Sequence, residues 1–278
     1  PATEIPTEEN PLPWRNTNDR VWLGGEFWAN PMEDWRIENG WAQCINDAGN
    51  RSIHHLTHQI TDPEKGFAMA VRLEPGKGKD NGGGFRIGIK SELNEYRSNC
   101  FANSGIDAGI NANQDQLFIG KKTVKIPKNS SGEQTLVLSG RPNGKQIELT
   151  LAFGNNSASV TSPVPSNSIL GNVALVSQYI GNSKKSRGKK YGYRFTDWDL
   201  EGEAFKVLPS QAFGPILWSI YTLSDSRSDR GVIMKMSALT GPLGQQDNQT
   251  VELQIDENGT WKSLGNALLD QDAWVATF

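Results

Sequence analysis

Short runs that alternate apolar and polar residues, each ended by a Gly, Asn or Pro turn, set the limits on what this chain can fold into. Phe67, Met69, Val71 and Leu73 fall on one side of their run, and Ile147, Leu149, Leu151 and Phe153 on one side of theirs. Phe85, Ile87 and Ile89 do the same in a third run, with Arg86, Gly88 and Lys90 opposite. Alternation at period two marks strands with one buried face. Residues 51–60, 134–139 and 191–205 also read as strands, and 116–127 as a hairpin. Residues 171–180 are apolar on both sides and predict a central strand. Residues 91–113 are irregular and read as a long loop with short strand pieces. No segment longer than a turn or two has helical periodicity.

The stretch 25–44 holds three of the nine tryptophans. At its centre stands Asn39-Gly40, the dipeptide that most readily takes φ > 0 twice and closes a two-residue hairpin. With that turn, Glu38 faces Trp41, Ile37 faces Ala42, Arg36 faces Gln43 and Trp35 faces Cys44. Facing residues share a side of the ladder. Trp35, Ile37, Ala42 and Cys44 then form a core face, and Arg36, Glu38, Trp41 and Gln43 form the other. The expectation is that Trp35 and Trp198 are buried and that Trp41 is more exposed; a slip of one residue would exchange the faces.

Composition narrows the class. The chain has 29 Gly, 14 Pro, 2 Cys and a net charge of −3, with a pI near 5.7. That is a turn-rich β protein without the basic footprint of a nucleic-acid binder. No apolar run approaches the ~20 residues of a membrane helix. Residues 1–19 are polar and Pro-rich and read as an extended arm, suited to the exposed start of a chain whose signal has been removed. Cys44 and Cys100 lack the spacing of a zinc or thioredoxin-like site. Two buried thiols is one reading. A disulfide, stabilising by roughly 4 kcal/mol through chain entropy, is the other. The basic run 184–190 reads as a solvated loop, with an acidic glycan as its alternative ligand.

Two motifs carry a resemblance. Asp34-Trp-Arg-Ile-Glu-Asn-Gly-Trp-Ala-Gln-Cys44 resembles the first hairpin of concanavalin-like (laminin-G-like) jelly rolls, and Tyr193-Arg-Phe-Thr-Asp-Trp-Asp-Leu-Glu-Gly202 resembles their last strand. Together they bracket 20–206 and imply an all-β, antiparallel jelly-roll sandwich. Residues 207–278 follow a linker and read as strands at 216–224, 231–239, 250–255, 261–264 and 274–278, with an Asn258-Gly259 hairpin turn. They resemble part of an immunoglobulin-like or fibronectin-III-like sandwich. At about 72 residues they fall short of the ~100 of a complete one. The expectation is an incomplete module, which either packs its open face on the jelly roll or lacks strands that a longer chain provides.

The wording of 28–37, 53–58, 84–89 and the tail after Gly214 is similar to the non-catalytic N-terminal part of large secreted bacterial proteins. In those proteins a metallophosphoesterase domain of the alkaline phosphatase D type follows. The resemblance covers nearly the whole chain and none of the catalytic domain. It implies a secreted, periplasmic or cell-surface location and a downstream catalytic domain as partner.

Residues that could carry chemistry are few. All three histidines lie in His54-His-Leu-Thr-His58. On a regular strand His54 and His58 share a face about 13 Å apart, too far to ligate one metal, and His55 points the other way. There is no paired-carboxylate run for sugar hydrolysis, no polysaccharide-lyase set in recognisable form, no nucleophile elbow or nucleotide loop, and no two-metal phosphoesterase motif. No catalytic residue is assigned. Arg36, Trp41, Arg51, His54, His58, Arg86 and Arg97 lie on outward sides of strands. Rings and hydrogen-bonding side chains there would suit a glycan. Calcium is the cation that loops of this kind could hold, with Asp47, Asp80, Asp107 and Asp115 as candidate ligands. The sequence thus reads as a non-catalytic β-sandwich module that binds glycan or packs on a downstream domain. The alternative is an enzyme, either a polysaccharide hydrolase or lyase on the concave jelly-roll face or a truncated phosphatase.

Overall fold

The structure is a computed structural model that describes residues 12–76, 82–89, 105–111, 115–126, 132–154, 158–179, 191–225, 229 and 231–278. The tryptophan hairpin forms in the register read from its turn. Asn39 and Gly40 take φ of +52° and +76°. Strands β2 (Trp35–Glu38) and β3 (Trp41–Cys44) pair Trp35 with Cys44 and Glu38 with Trp41. Trp35 and Trp198 are 1% and 2% exposed, whereas Trp41 is half-buried.

This hairpin is one edge of a seven-stranded antiparallel sheet. Outward from it run β14 (Arg194–Glu201), β5 (Phe67–Glu74), β10 (Gln134–Asn143), β11 (Gln146–Phe153) and β12 (Ala158–Pro165). The alternating rows behave as their pattern demands. Phe67, Met69, Val71 and Leu73 are buried, as are Ile147, Leu149, Leu151 and Phe153. Strand β10 extends beyond the expected 134–139. Its pairing with β5 ends at Gly140, so Pro142 has only β11 beside it and breaks no second ladder.

The second sheet has the order β1 (Phe27–Asn30), β4 (Arg51–Ile60), β13 (Gly171–Ser177), β6 (Gly83–Ile89), β7 (Ile106–Asn111), β8 (Gln116–Ile119) and β9 (Lys122–Lys125). Short β15 (Phe205–Val207) also pairs with β4. The apolar run 171–180 supplies β13, which is central as expected, with β4 on one side and β6 on the other. Strand β7 forms inside the irregular 91–113 stretch, and pairs Asp107 with Arg86. Inward rows of the two sheets share one core, which also takes in Trp14 and Leu23 from the segment before β1. The chain is therefore an all-β, concanavalin-like antiparallel sandwich. Residues 12–19, read from the sequence as part of an extended arm, are fixed to it. Trp14 is 2% exposed, its Nε1 donates to Leu23 O at 3.0 Å, and Asp197 N donates to Pro13 O.

Beyond β15 lie a three-stranded sheet, β16 (Ile216–Ser224), β17 (Ile233–Thr240) and β20 (Val275–Thr277), and a hairpin of β18 (Thr250–Glu257) and β19 (Thr260–Leu268). Trp22 packs on the backbones of Gly214 and Gly241, where an added Cβ would come within 2.9 and 2.5 Å of its ring. Asp247 accepts from Asn18 Nδ2 at 2.9 Å, Arg20 Nη1 at 3.3 Å and Gly244 N at 2.8 Å. These contacts join residues 18–22 of the sandwich to residues 214 and 241–247. Farther out, β16 is exposed on both faces along its whole length, including Trp218, Ile220 and Tyr221.

Candidate functional site

The site is built on an irregularity in β4. Its pairing with β13 steps from Gln59↔Asn172 to His54↔Ala174, so four residues of β4 stand opposite Val173 alone. Surplus residues in one strand of a pair form a bulge, which re-aims side chains. The strict alternation expected from the sequence therefore fails between 54 and 58. His55 and His58, expected on opposite faces, meet edge to face with ring centroids 4.4 Å apart. Thr57 Oγ1 lies 3.3 Å from His55 Nδ1 and 2.9 Å from His58 Nδ1. His54 is left on the other side of the sheet, with Nε2 3.0 Å from Ser52 Oγ.

His55 and His58 border an open cleft of about 410 Å³. Its floor is aromatic. Phe27 lies 4.8 Å from Trp14, 5.0 Å from His55 and 6.0 Å from Trp198, and His55 lies 5.1 Å from Trp198. Its rim carries Thr17, Arg20, Glu26 and Asp199. Burial pushes the His55 imidazole down to about 3, with the neighbouring His58 adding to the shift, and burial also lowers His58. Both rings are therefore neutral near pH 7. A neutral imidazole offers one donor and one acceptor.

The other residues singled out in the sequence do not gather at this cleft. Arg86 lies on the outer face of β6 as expected, yet it is 5% exposed. It donates to Asp107 through Nε at 2.6 Å and Nη2 at 3.0 Å, and to Asn50 Oδ1 at 3.2 Å. Tyr179 covers the same face, donating to Phe85 O and Ala108 O where Gly84 and Gly109 leave room for its hydroxyl. Burial, and then the Arg86 charge, push His54 down to about 4. Arg51 donates to Asp34 at 2.7 Å and to Gly49 O at 3.0 Å. On the outer face of the seven-stranded sheet, Arg36 pairs with Glu38 at 3.1 Å, and Trp41 lies under Arg194 at 4.5 Å and Arg72 at 6.0 Å. Arg97 lies outside the described residues, as does the basic run 184–190.

The calcium candidates are scattered as well. Asp107 is committed to Arg86. Asp47 is buried, with Oδ1 lacking a hydrogen-bond partner. Asp115 occupies a turn at φ +49°, and Asp80 lies outside the described residues. Among the described residues no three His, Cys, Asp or Glu side chains are grouped to hold a metal ion. Cys44 is a buried free thiol that donates to Asn46 O at 3.0 Å and is pushed up to about 12, chiefly by burial. Cys100 lies outside the described residues.

Sequence reasoning passed over Trp14, Phe27, Glu26 and His55 as site residues. One signal was available for Trp14: a lone large aromatic in a polar, Pro-flanked segment needs a place to be buried.

Neither any protein-family model nor any curated protein matches the chain. Solved structures similar to it include lectin II from Ulex europaeus, 16% identical over 63% of this chain and 91% of that one, with a TM-score of 0.42. A Lotus tetragonolobus seed lectin is 10% identical over 67% and 97%, at 0.40. The Emp46p carbohydrate recognition domain is 13% identical over 63% and 86%, at 0.39. Likeness of this degree says nothing of what this chain binds.

Proposed function

We propose that the chain is a non-catalytic carbohydrate-binding β-sandwich module that works outside the cell and holds a neutral glycan in the cleft beside the β4 bulge. The observation that carries this reading is the pair of neutral imidazoles, joined through Thr57, at the border of an open cleft with an aromatic floor. Sugars present hydroxyls that both donate and accept, together with apolar C–H faces that pack on rings. His58 is only partly buried, so its free nitrogen is the group best placed to meet a hydroxyl. Arg20, Glu26 and Asp199 give the rim both signs of charge, which suits a neutral ligand better than an anion. The cleft volume falls in the range of small-molecule sites, about 300–1,000 Å³.

Titration calorimetry with a panel of neutral oligosaccharides tests the proposal. His58→Ala is expected to weaken binding by tenfold or more, about 1.4 kcal/mol, with the urea midpoint little changed. Wild-type affinity in that variant would place the ligand elsewhere. Polysaccharide cleavage or p-nitrophenyl phosphate hydrolysis that vanished in His54→Ala or Arg86→Ala would overturn the non-catalytic part.

A second reading, packing against another domain, is supported by β16. Ile216, Trp218, Ile220, Tyr221 and Leu223 are all exposed, and an apolar strand left uncovered is a surface for association. The resemblance to alkaline phosphatase D-type proteins supplies a metallophosphoesterase domain as the partner. Hydrogen exchange at 216–224 should slow when that domain is present on the same chain; unchanged exchange would count against it.

A further inference from the structure

The histidine cleft does not end at Thr17. That residue also lines a second cleft, of about 490 Å³, between the Asn39-Gly40 turn and the second module. Its other walls are Asn18, Asp19, Asn39, Gln245 and Gln246. Gln245 in turn lines a third cleft of about 260 Å³, with Gln249, Gln271, Asp272 and Trp274. The shared residues make the second cleft a neighbour of both others, so the three follow one another from the jelly roll to the second module.

The junction beneath this line is fixed by close packing. A Cβ on Gly244 would come within 2.1 Å of Asp19 O, and one on Gly40 within 2.6 Å of Arg15 O. Asp247 ties Asn18 and Arg20 to the Gly244 backbone. The line of clefts thus has a preorganised floor, which lowers the ordering cost of binding.

Its walls have a consistent chemistry. The second and third clefts carry side-chain amides and two carboxylates, Asp19 and Asp272, and no cationic side chain lines either one among the described residues. The side chains of Gln245, Gln246, Gln271 and Thr17 have no hydrogen-bond partner within the described protein. Amides and hydroxyls that both donate and accept match the hydroxyls of sugars, and the carboxylates would repel an anionic polymer. Trp274 adds a ring held in an uncommon conformation. Its φ is +52°, a left-handed value that is a genuine outlier for a bulky residue. Four hydrogen bonds hold it: its N–H donates to Asp270 O at 2.7 Å, its carbonyl accepts from Thr240 N at 2.9 Å and Thr240 Oγ1 at 3.2 Å, and its Nε1 donates to Leu243 O at 3.3 Å. Strain over-determined in this way clusters at ligand clamps.

We infer that the three clefts form one groove for an internal stretch of a linear, neutral polysaccharide, which crosses from the jelly roll onto the second module. The inference rests on the glycan reading for its first cleft and adds the length and path of the ligand. A chain that spans all three clefts gains contacts that a disaccharide in the histidine cleft lacks.

Calorimetry with disaccharides and hexasaccharides of the cello-, malto-, xylo-, manno- and chito- series tests it, on the full chain. Wild type should bind one hexasaccharide at least tenfold more tightly than its disaccharide. The double variant Gln245→Ala, Gln246→Ala changes two exposed side chains. It should lose that gain while keeping the disaccharide affinity; Trp274→Ala should do the same. His58→Ala should weaken both ligands. Equal wild-type affinities for the two lengths would overturn the groove, as would a chain-length gain that survives the glutamine changes. If the groove variants lose the gain but His58→Ala has no effect, the histidine cleft and the three-cleft path both fall, and the ligand is confined to the second and third clefts. Absence of binding throughout the series overturns both.

Discussion

Lowering the pH from 7 to 5 should destabilise this protein chiefly through His54 and His55. The two rings sit on opposite faces of β4 and are 5% and 4% exposed. Their folded values are about 4 and about 3, against 6.5 for an ordinary imidazole. The direction follows from which state takes the proton. In the folded chain burial keeps both rings neutral, and the Arg86 charge and the His58 ring oppose protonation further. The unfolded chain takes up protons near 6.5. The neutral rings therefore cost nothing above that value, and stability falls as the pH drops from 6.5 towards 4 and 3. Each histidine accounts for about 2 kcal/mol by pH 5 and about 3 kcal/mol by pH 4. Together that is roughly 4 kcal/mol at pH 5, a large part of the 5–15 kcal/mol that holds a typical domain folded. Urea unfolding followed by tryptophan fluorescence at pH 7, 6 and 5 measures it. His54→Gln and His55→Phe should each remove a large part of the acid loss, and the double variant should keep only the part due to His58, whose value burial also lowers. A wild-type protein equally stable at pH 7 and pH 5, or single variants with the wild-type slope, would refute the reasoning.

Gly140 stands opposite Phe67 in the seven-stranded sheet, and a Cβ there would lie 2.2 Å from the Phe67 ring. Gly140→Ala should lower stability by about 1–3 kcal/mol through overpacking, and an unchanged urea midpoint would mean that the ring has room to move. Asp247→Ala removes the acceptor of Asn18, Arg20 and Gly244 N, where the sandwich meets residues 241–247. It should cost about 2 kcal/mol and speed hydrogen exchange at 241–249, and wild-type exchange there would show that Trp22 packing alone holds the junction.

The parts of the fold legible in the sequence are those that neighbouring residues decide. The Asn39-Gly40 dipeptide strongly prefers a two-residue turn, which sets the pairing of Trp35 with Cys44 and, with it, the burial of Trp35 over Trp41. The alternating rows of β5 and β11 were equally local, because each strand carries its own record of which side faces the core. Outer faces were harder. Arg86 was placed on the correct side of β6, but its burial depends on Asp107 and Tyr179, which come from distant stretches of the chain. One strand records the direction of a side chain and carries no record of what lies over it.

The histidine cleft shows the same limit acting on function. Read as a regular strand, residues 54–58 separate His54 from His55 correctly and place His58 with the wrong partner. The bulge that brings His58 to His55 is a property of the pairing: three residues of β13, Asn172 to Ala174, span the same ladder as six of β4, His54 to Gln59. β13 lies more than a hundred residues away. The floor of the cleft then needs Trp14, from a segment with no strand pattern, and Trp198, from β14 of the other sheet. A site assembled from four such pieces leaves no contiguous motif, although each piece is marked by a residue that fits its surroundings poorly. Three imidazoles in five residues are too many for an ordinary half-buried strand. A tryptophan between prolines and asparagines has no local core to enter. Residues that local rules leave unexplained are where binding sites are expected in such chains, and in this one Trp14, His55 and His58 meet at the cleft beside β4.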